Sequence, residues 1–325
     1  MRRQVKNSLI AGFSLLAALA GLFLSGPRID LSFTPELREL PADAALLPAY
    51  LAAREARYPD LVPGTENQIV WAGAPGQRTE YCLLYFPGFS ATRQELQPVP
   101  QKVAEALGAN VLYTRFRGHG RSGEAMLEGS VSHWLNDAQE AIDIGRMLGD
   151  KILIMGNSTG ASLATLIAAD RASEIHALLL LSPNYGLKDP MAVMMTWPWG
   201  KQLAQLVIGP ERVWQPESEA EARYWTWQYP TAALLPMMGV VQRVQALDFA
   251  QLQTPVQMIY SPRDQVIHPL KVEAAYARWG ASYKDVWAYT GSSASAQHVL
   301  AGDIRAPEST EPVVERMLRF IADLP

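Results

Sequence analysis

Two apolar segments meet at a short turn in residues 151–170, KILIMGNSTGASLATLIAAD. The first predicts a strand and the second, rich in alanine, predicts a helix. Ser158 lies between them and is flanked by Gly156 and Gly160. A G-x-S-x-G match alone is weak, but a strand before it and a helix after it are the context that lifts a serine on a sharp turn. We therefore predict that Ser158 is a nucleophile, with the two glycines letting strand and helix approach closely. The alternative is a tight turn that merely contains a serine.

The same alternation of apolar runs and helical segments extends from residue 68 to the last helix. The runs are continuously apolar, as is typical of parallel strands covered by helices on both faces. We predict an α/β fold with a mostly parallel central sheet. The alternation stops between about residues 185 and 247, which predicts an inserted helical cap. This stretch holds five of the nine tryptophans and five of the eleven methionines. They can pack the cap onto the sheet or line an apolar acyl or aryl pocket.

The first 26 residues predict a separate N-terminal segment. Arg2, Arg3 and Lys6 precede an apolar run at about residues 8–24. Its length is at the short end for crossing a bilayer, and the basic start favours an uncleaved membrane anchor with the catalytic domain on the non-cytoplasmic, periplasmic or extracellular side. A cleaved signal peptide ending near Ala18-Leu19-Ala20, with a secreted protein, is the alternative.

Residues 27–66 contain six prolines and predict a tether or strap with one helix at about residues 42–58. The predicted α/β domain would then span residues 67–325. The net charge of −4 does not favour a nucleic-acid partner. The single cysteine, Cys82, excludes an intrachain disulfide, and no clustered histidine motif predicts a metal or other cofactor.

A serine nucleophile needs a histidine base and an acid that orients the histidine. In strand-turn-helix enzymes the chain order is serine, acid, histidine. Three histidines lie downstream of Ser158, and the first of them, His176, is typical of a strand start. We favour His298, in the small-residue loop GSSASAQHVLAGD, over His268, which precedes Pro269 and is typical of a helix start.

The acid is predicted to be Asp264, in a turn after the apolar run of MIYSPRDQVIHP. Asp285 lies within a strand pattern, and Asp248 lies at the exit of the cap. Two backbone N–H groups should bind the oxyanion: that of Thr159, after the nucleophile, and that of Phe89, in the loop after an early strand, LLYFPGFSATRQE.

With these segments the chain resembles the α/β-hydrolase superfamily. It is most similar to the branch of monoacylglycerol lipases, lysophospholipases and small carboxylesterases, with a serine aminopeptidase S33-type domain. The resemblance covers residues 68–325 and is carried by YFPGFSAT, RFRGHGRSGE, HWLNDAQEAIDIGRMLGDKILIMGNSTG, SPRDQVI and QHVLAGD. It implies the same five site residues: Ser158, Asp264, His298, Phe89 and Thr159. The chain departs from the family at Pro87, where the loop usually has histidine, and at Asn157, where many relatives have histidine.

We therefore expect a serine hydrolase that cleaves carboxylic esters of small apolar, lipid-like substrates through an acyl-enzyme. A peptidase or amidase of the same fold is one alternative. It would need acidic cap residues for a free amine, and Glu217, Glu219 and Glu221 are candidates, although a solvated helix face explains them more simply. A non-catalytic binding module is the other alternative.

Overall fold

The computed structural model describes residues 2–324. Within that range the chain forms nine strands: β1 (Gln68–Val70), β2 (Thr79–Phe86), β3 (Asn110–Tyr113), β4 (Gly149–Asn157), β5 (Ala177–Leu181), β6 (Glu211–Val213), β7 (Gln228–Pro230), β8 (Val256–Tyr260) and β9 (Lys284–Ala288). The same range forms ten α-helices: α1 (Arg2–Leu24), α2 (Leu47–Glu55), α3 (Val99–Leu107), α4 (Val131–Leu148), α5 (Thr159–Asp170), α6 (Gly200–Ile208), α7 (Glu219–Tyr224), α8 (Leu234–Gln245), α9 (Pro269–Arg278) and α10 (Thr310–Ala322).

Seven of these strands form one sheet, in the order β1-β3-β2-β4-β5-β8-β9. Every neighbouring pair is parallel except β1 and β3, which run antiparallel. The predicted α/β fold with a mostly parallel sheet is therefore confirmed. In a parallel sheet the carboxyl ends of the strands meet at one edge, so the loops that leave β2, β4, β5 and β8 converge there.

Both faces of the sheet are covered, as the continuous apolar runs predict. Along β2, Leu84 and Phe86 pack into one buried cluster, while Leu83 and Tyr85 pack into the other, since successive side chains of a strand point to opposite faces. Helices α4, α5, α8 and α9 contribute to the first cluster, and α3 and α10 contribute to the second. The sheet is thus a rigid support for its loops.

The insertion between β5 and β8 contains α6, α7 and α8, but it is not purely helical. β6 and β7 pair as a separate antiparallel ribbon. Each has only three residues, and β7 ends in a proline, so neither strand is long enough to show a periodicity in the sequence. We use the term cap for residues 185–247.

The N-terminal segment corrects one prediction. Among the residues that the structure describes, no helix combines the length and the apolarity that a bilayer crossing requires. Helix α1 extends over Arg2–Leu24, but its sequence begins with basic residues. The apolar part, residues 8–24, would be roughly 25 Å long at 1.5 Å per residue. The hydrocarbon core is about 30 Å thick. The predicted transmembrane signal anchor, the membrane as a partner, and the non-cytoplasmic location that depended on them are therefore wrong.

Residues 27–66, which we call the strap, lie along helix α4. Apart from α2 and single turns they are irregular, and α2 is shorter than the helix expected from the sequence. Arg38 of the strap pairs with Asp137 (2.9 Å) and Glu140 (2.6 Å) of α4. Glu140 also accepts hydrogen bonds from Tyr50 (2.6 Å) and Arg54. Buried charge pairs therefore attach the strap to the sheet domain.

Candidate active site

Ser158 occupies the one-residue turn between β4 and α5. Its φ of 51° and ψ of −115° lie in a region that non-glycine residues rarely adopt. A methyl group added at Gly160 would lie 2.1 Å from the carbonyl oxygen of Phe86, and one at Gly156 would lie 2.7 Å from the Cα of Ala161. Only glycine fits at either position, so the strand and helix can close tightly beneath a strained serine, as expected of a nucleophile elbow.

The structure brings the three predicted side chains into one hydrogen-bonded chain. The Nε2 atom of His298 lies 2.9 Å from the Oγ atom of Ser158. The Nδ1 atom of His298 lies 2.8 Å from the Oδ2 atom of Asp264. Asp264 comes from the loop after β8 and His298 from the loop between β9 and α10. All three residues are buried, and Asp264 has no exposed surface.

Local hydrogen bonds hold the acid and the base in place. The second carboxylate oxygen of Asp264 accepts the N–H groups of Val266 (2.7 Å) and Ile267 (2.9 Å). The Ser182 hydroxyl, at the end of β5, donates to the His298 carbonyl (2.6 Å). Because the turn after β8 fixes the carboxylate, its free oxygen is directed at the imidazole, whose Nε2 atom then faces the serine.

The electrostatics of His298 result from two opposing effects. Burial alone would lower the pKa of the imidazole, because it disfavours the cation. The adjacent Asp264 carboxylate, through its charge and its hydrogen bond, outweighs burial and raises the pKa of His298 above its ordinary value of 6.5. The imidazole is therefore a stronger base than a free histidine.

The other histidine and acid candidates lie in structural positions. His268 precedes the first turn of α9, and its ring makes no contact with Ser158. Asp285 binds Arg316 and Gln257 at the far edge of the sheet. Asp248 is exposed and caps a short turn through the N–H of Ala250.

The two expected oxyanion donors both border the cavity above Ser158. Thr159 is the first residue of α5, where N–H groups have no acceptor within the helix. Phe89 follows Pro87-Gly88 at the carboxyl end of β2, and its N–H has no hydrogen-bond acceptor within residues 2–324. The Phe89 ring packs edge-on against Tyr229 of the cap (5.5 Å between centroids) and His119 (5.9 Å), which fixes the loop from outside.

Residues 78–293, which are more than half of the chain, match the family model described as serine aminopeptidase, S33. The chain belongs to this family of the α/β-hydrolase superfamily. No curated protein sequence matches it. Membership supports a hydrolase function.

Solved structures show the same fold at low sequence identity. One, reported for the metagenome-derived lipolytic enzymes LipS and LipT, has a TM-score of 0.65 and 19% identity, covering 81% of this chain and 99% of that one. The monoacylglycerol lipase of Paleococcus ferrophilus has a TM-score of 0.58 and 15% identity, covering 80% and 100%. A soluble variant of the monoglyceride lipase of Saccharomyces cerevisiae, bound to a substrate analogue, has a TM-score of 0.57 and 14% identity, covering 81% and 97%.

In this α/β-hydrolase the hydrogen-bonded Ser158, His298 and Asp264, the candidate triad, lie at a cavity of about 500 Å³ between the sheet edge and the cap. Its walls include four of the cap's large apolar side chains, Trp214, Trp225, Met195 and Met237. The remaining tryptophans and methionines of the cap do not border the cavity, so the cap's apolar residues serve both packing and pocket formation.

Sequence reasoning missed the burial of two acids that border this hydrolase's cavity, Glu221 and Glu95. Glu221, expected on a solvated helix face, is buried and pairs with Arg305 at 2.8 Å. Glu217 pairs with the same arginine at 3.2 Å, while Glu219 is exposed. Glu95 lies buried beneath the Phe89 loop. Its neighbours Arg93, Gln94 and Gln97 are polar as well, so the sequence carried no signal for the burial of Glu95. Within the described residues, no cluster of three or more potential ligand side chains could hold a metal ion.

Proposed function

We propose that this protein is a serine ester hydrolase that acts on apolar esters through an acyl-enzyme. The observation that carries the proposal is the continuous hydrogen-bonded chain from Asp264 through His298 to Ser158. This chain ends in a cavity with apolar walls. Such a cavity accommodates an acyl or aryl group by burying it from water.

In this mechanism the Ser158 hydroxyl attacks the ester carbonyl while Nε2 of His298 takes its proton. Asp264 holds the imidazole in the tautomer that carries hydrogen on Nδ1 and stabilises the imidazolium. The N–H groups of Phe89 and Thr159 stabilise the oxyanion of the tetrahedral intermediate. The imidazolium then protonates the departing alcohol. Water, deprotonated by His298, attacks the acyl-enzyme, and the carboxylic acid leaves as Ser158 regains its proton.

The family description raises a peptidase or amidase as the alternative. A free substrate amine would need an unpaired carboxylate in the cavity. Of the two cap acids that border the cavity, Glu221 is already neutralised by Arg305, which leaves Asp189 as the candidate partner for an amine. Glu95 also borders the cavity, but its carboxyl accepts the Gly88 N–H. The named structural neighbours are lipolytic and monoacylglycerol lipase enzymes, which favours an ester substrate. A pure binding module would have no need for a strained serine within 2.9 Å of a histidine.

The experiment is labelling of the full chain with a fluorophosphonate, which reacts with activated serines. We expect labelling of the wild type and none of Ser158→Ala. Ser162→Ala is the matched control, because Ser162 lies in the first turns of α5, close to Ser158, but its hydroxyl donates to the carbonyl of Asn184. Labelling that persists in Ser158→Ala would contradict the proposal, and so would a folded wild type that does not react. p-Nitrophenyl esters from acetate to palmitate then define the acyl length.

A further inference from the structure

Glu95 is a buried acid that the mechanism above does not use. It ends the single 3₁₀ turn that follows the Phe89 loop, and only 2% of its surface is exposed. Among the side chains that the structure describes, no lysine or arginine pairs with it. A buried carboxyl without a counter-cation is costly unless hydrogen bonds satisfy it, so its contacts indicate its role.

The Oε2 atom of Glu95 accepts two hydrogen bonds from the chain segment that it follows. The Gly88 N–H donates at 2.8 Å, and the Tyr85 hydroxyl donates at 3.0 Å. The Glu95 carboxyl therefore ties the 3₁₀ turn back to the end of β2 and to the first residues of the loop. The bond to the Gly88 N–H fixes the peptide plane between Pro87 and Gly88. The next peptide plane, between Gly88 and Phe89, carries the N–H that would face the oxyanion.

The fit around Gly88 leaves little room for movement. A methyl group added there would lie 2.8 Å from the Oε1 atom of Glu95 and 3.3 Å from the Cβ atom of Ser158. The Glu95 carboxyl and the Ser158 side chain therefore both occupy the space that a side chain at residue 88 would need. The rest of the loop is held by backbone bonds farther along, from Ala91 N–H to the Gly88 carbonyl (3.1 Å) and from Thr226 N–H to the Ser90 carbonyl (2.8 Å).

We propose that Glu95 is a positioning residue for the oxyanion site, because its carboxyl anchors the Gly88 N–H and thereby orients the Phe89 N–H above Ser158. This inference rests on the proposed function. It also explains how the loop is held when Pro87 replaces the histidine usual in the family, since proline has no N–H and no side-chain donor.

The charge of Glu95 is consistent with this role. Burial raises the pKa of the Glu95 carboxyl, although the Gly88 N–H, the Tyr85 hydroxyl and His298 lower it. The Asn157 amide also faces the carboxyl and lowers this pKa, yet neither of its polar side-chain atoms reaches hydrogen-bond geometry with any described residue. A carboxyl oxygen can accept the Gly88 N–H in either protonation state, so the anchor does not depend on the charge of Glu95.

The test compares variants that keep or remove the acceptor at constant size. Glu95→Gln keeps an acceptor oxygen, whereas Glu95→Met removes it with a similar volume. Glu95→Asp keeps the carboxyl but withdraws it by one methylene. Tyr85→Phe is the control, because it removes the second donor and leaves the Gly88 bond intact. The kcat and KM of each full-length variant are measured with p-nitrophenyl butyrate, together with the thermal midpoint.

We expect Glu95→Met to lower kcat about 10- to 100-fold with KM within about threefold, since removing one oxyanion donor outright costs about 10²–10³ in kcat. Glu95→Asp should fall between it and the wild type. Glu95→Gln and Tyr85→Phe should stay within about threefold of the wild type. Inhibition by a trifluoromethyl ketone, whose adduct carries an oxyanion, should weaken in Glu95→Met by the same factor as kcat/KM.

A loss of thermal stability alone does not produce this pattern of kcat, KM and inhibition. Folded Glu95→Met or Glu95→Asp with wild-type kcat would overturn the assignment, and so would equal losses in Glu95→Gln and Glu95→Met. If the wild type hydrolyses no ester, the proposed function fails instead. Amide hydrogen exchange of the peptide covering residues 84–95 then decides: faster exchange in Glu95→Met than in Glu95→Gln supports the anchor, and equal exchange refutes it.

Discussion

The strap interface and the catalytic cavity both bury carboxyl groups, but they neutralise them differently. At the strap, arginines match the buried acids: Arg38 binds Asp137 and Glu140, and Arg115 binds Glu55. Against the reacting groups of the cavity, Asp264 and Glu95 have no arginine or lysine partner among the described residues. They are held by N–H and O–H donors and by His298.

This difference separates attachment from chemistry. A guanidinium stays charged at every working pH, so a pair that contains it is a fixed connection. In the cavity, by contrast, the Asp264 carboxyl is held by neutral donors and by the imidazole of His298. That imidazole can gain and lose a proton near neutral pH. Mutations at the strap should therefore change the free energy of unfolding with little effect on kcat. Mutations in the cavity should lower kcat with little effect on the free energy of unfolding.

The largest expected effect is loss of the base. His298→Ala should lower kcat at least about a thousandfold, because only the oxyanion site and binding effects remain when one triad member is removed. His268→Ala, at the start of α9, is the matched control and should retain kcat. The measurement is p-nitrophenyl ester hydrolysis by both purified variants. A large loss in His268→Ala with a small one in His298→Ala would reverse the assignment of the base.

The strap should respond in stability instead. Glu55→Gln leaves the buried Arg115 guanidinium without its counter-charge, and breaking such a pair typically costs about 3–5 kcal/mol in the free energy of unfolding. Urea unfolding measures this loss, while kcat/KM in water should remain that of the wild type. The double variant Glu55→Met/Arg115→Met should recover much of the stability. A fall in kcat as large as that in stability would show that the two regions are not separate.

The pH profile sharpens the comparison within the cavity. His298 must be neutral to act as a base, and Asp264 raises the pKa of His298. The acidic limb of kcat/KM should therefore have its midpoint above pH 6.5, with activity rising as pH increases. In Asp264→Asn the pKa should fall, since burial then dominates, and the limb should shift to lower pH along with a large loss of rate. An acidic limb centred below pH 6.5 in the wild type would contradict this coupling.

The smallest effect is expected at an exposed ion pair. Arg78 and Asp150 lie 2.7 Å apart, but both side chains are more than half exposed. Asp150→Ala should change neither the free energy of unfolding nor kcat measurably, because exposed pairs contribute little. Urea unfolding of this variant beside Glu55→Gln tests whether burial, rather than pairing alone, makes the strap connection strong.

Local patterns were sufficient for much of the fold. Continuous apolar runs predicted the parallel sheet, and the strand-serine-helix junction predicted the elbow at Ser158. The three-residue strands of the cap and the shorter helix of the strap escaped prediction because their signals are weak. The prediction of a membrane anchor was wrong because it rested on a basic start followed by an apolar run. A helix that crosses a bilayer also needs sufficient apolar length, which no described helix has.

Sequence by itself determined the order of strands and helices, the strained turn, and the candidates for nucleophile, acid and base, because each depends on neighbouring residues or chain order. Only the tertiary structure decided which groups meet. Ser158 and His298 are 140 residues apart in the chain and 2.9 Å apart in space. The burial of Glu95 beneath Gly88 and the pairing of Glu221 with Arg305 also depend on how the loops and cap close over the sheet edge. A side chain's burial and partners are properties of the packed chain, and no local periodicity encodes them.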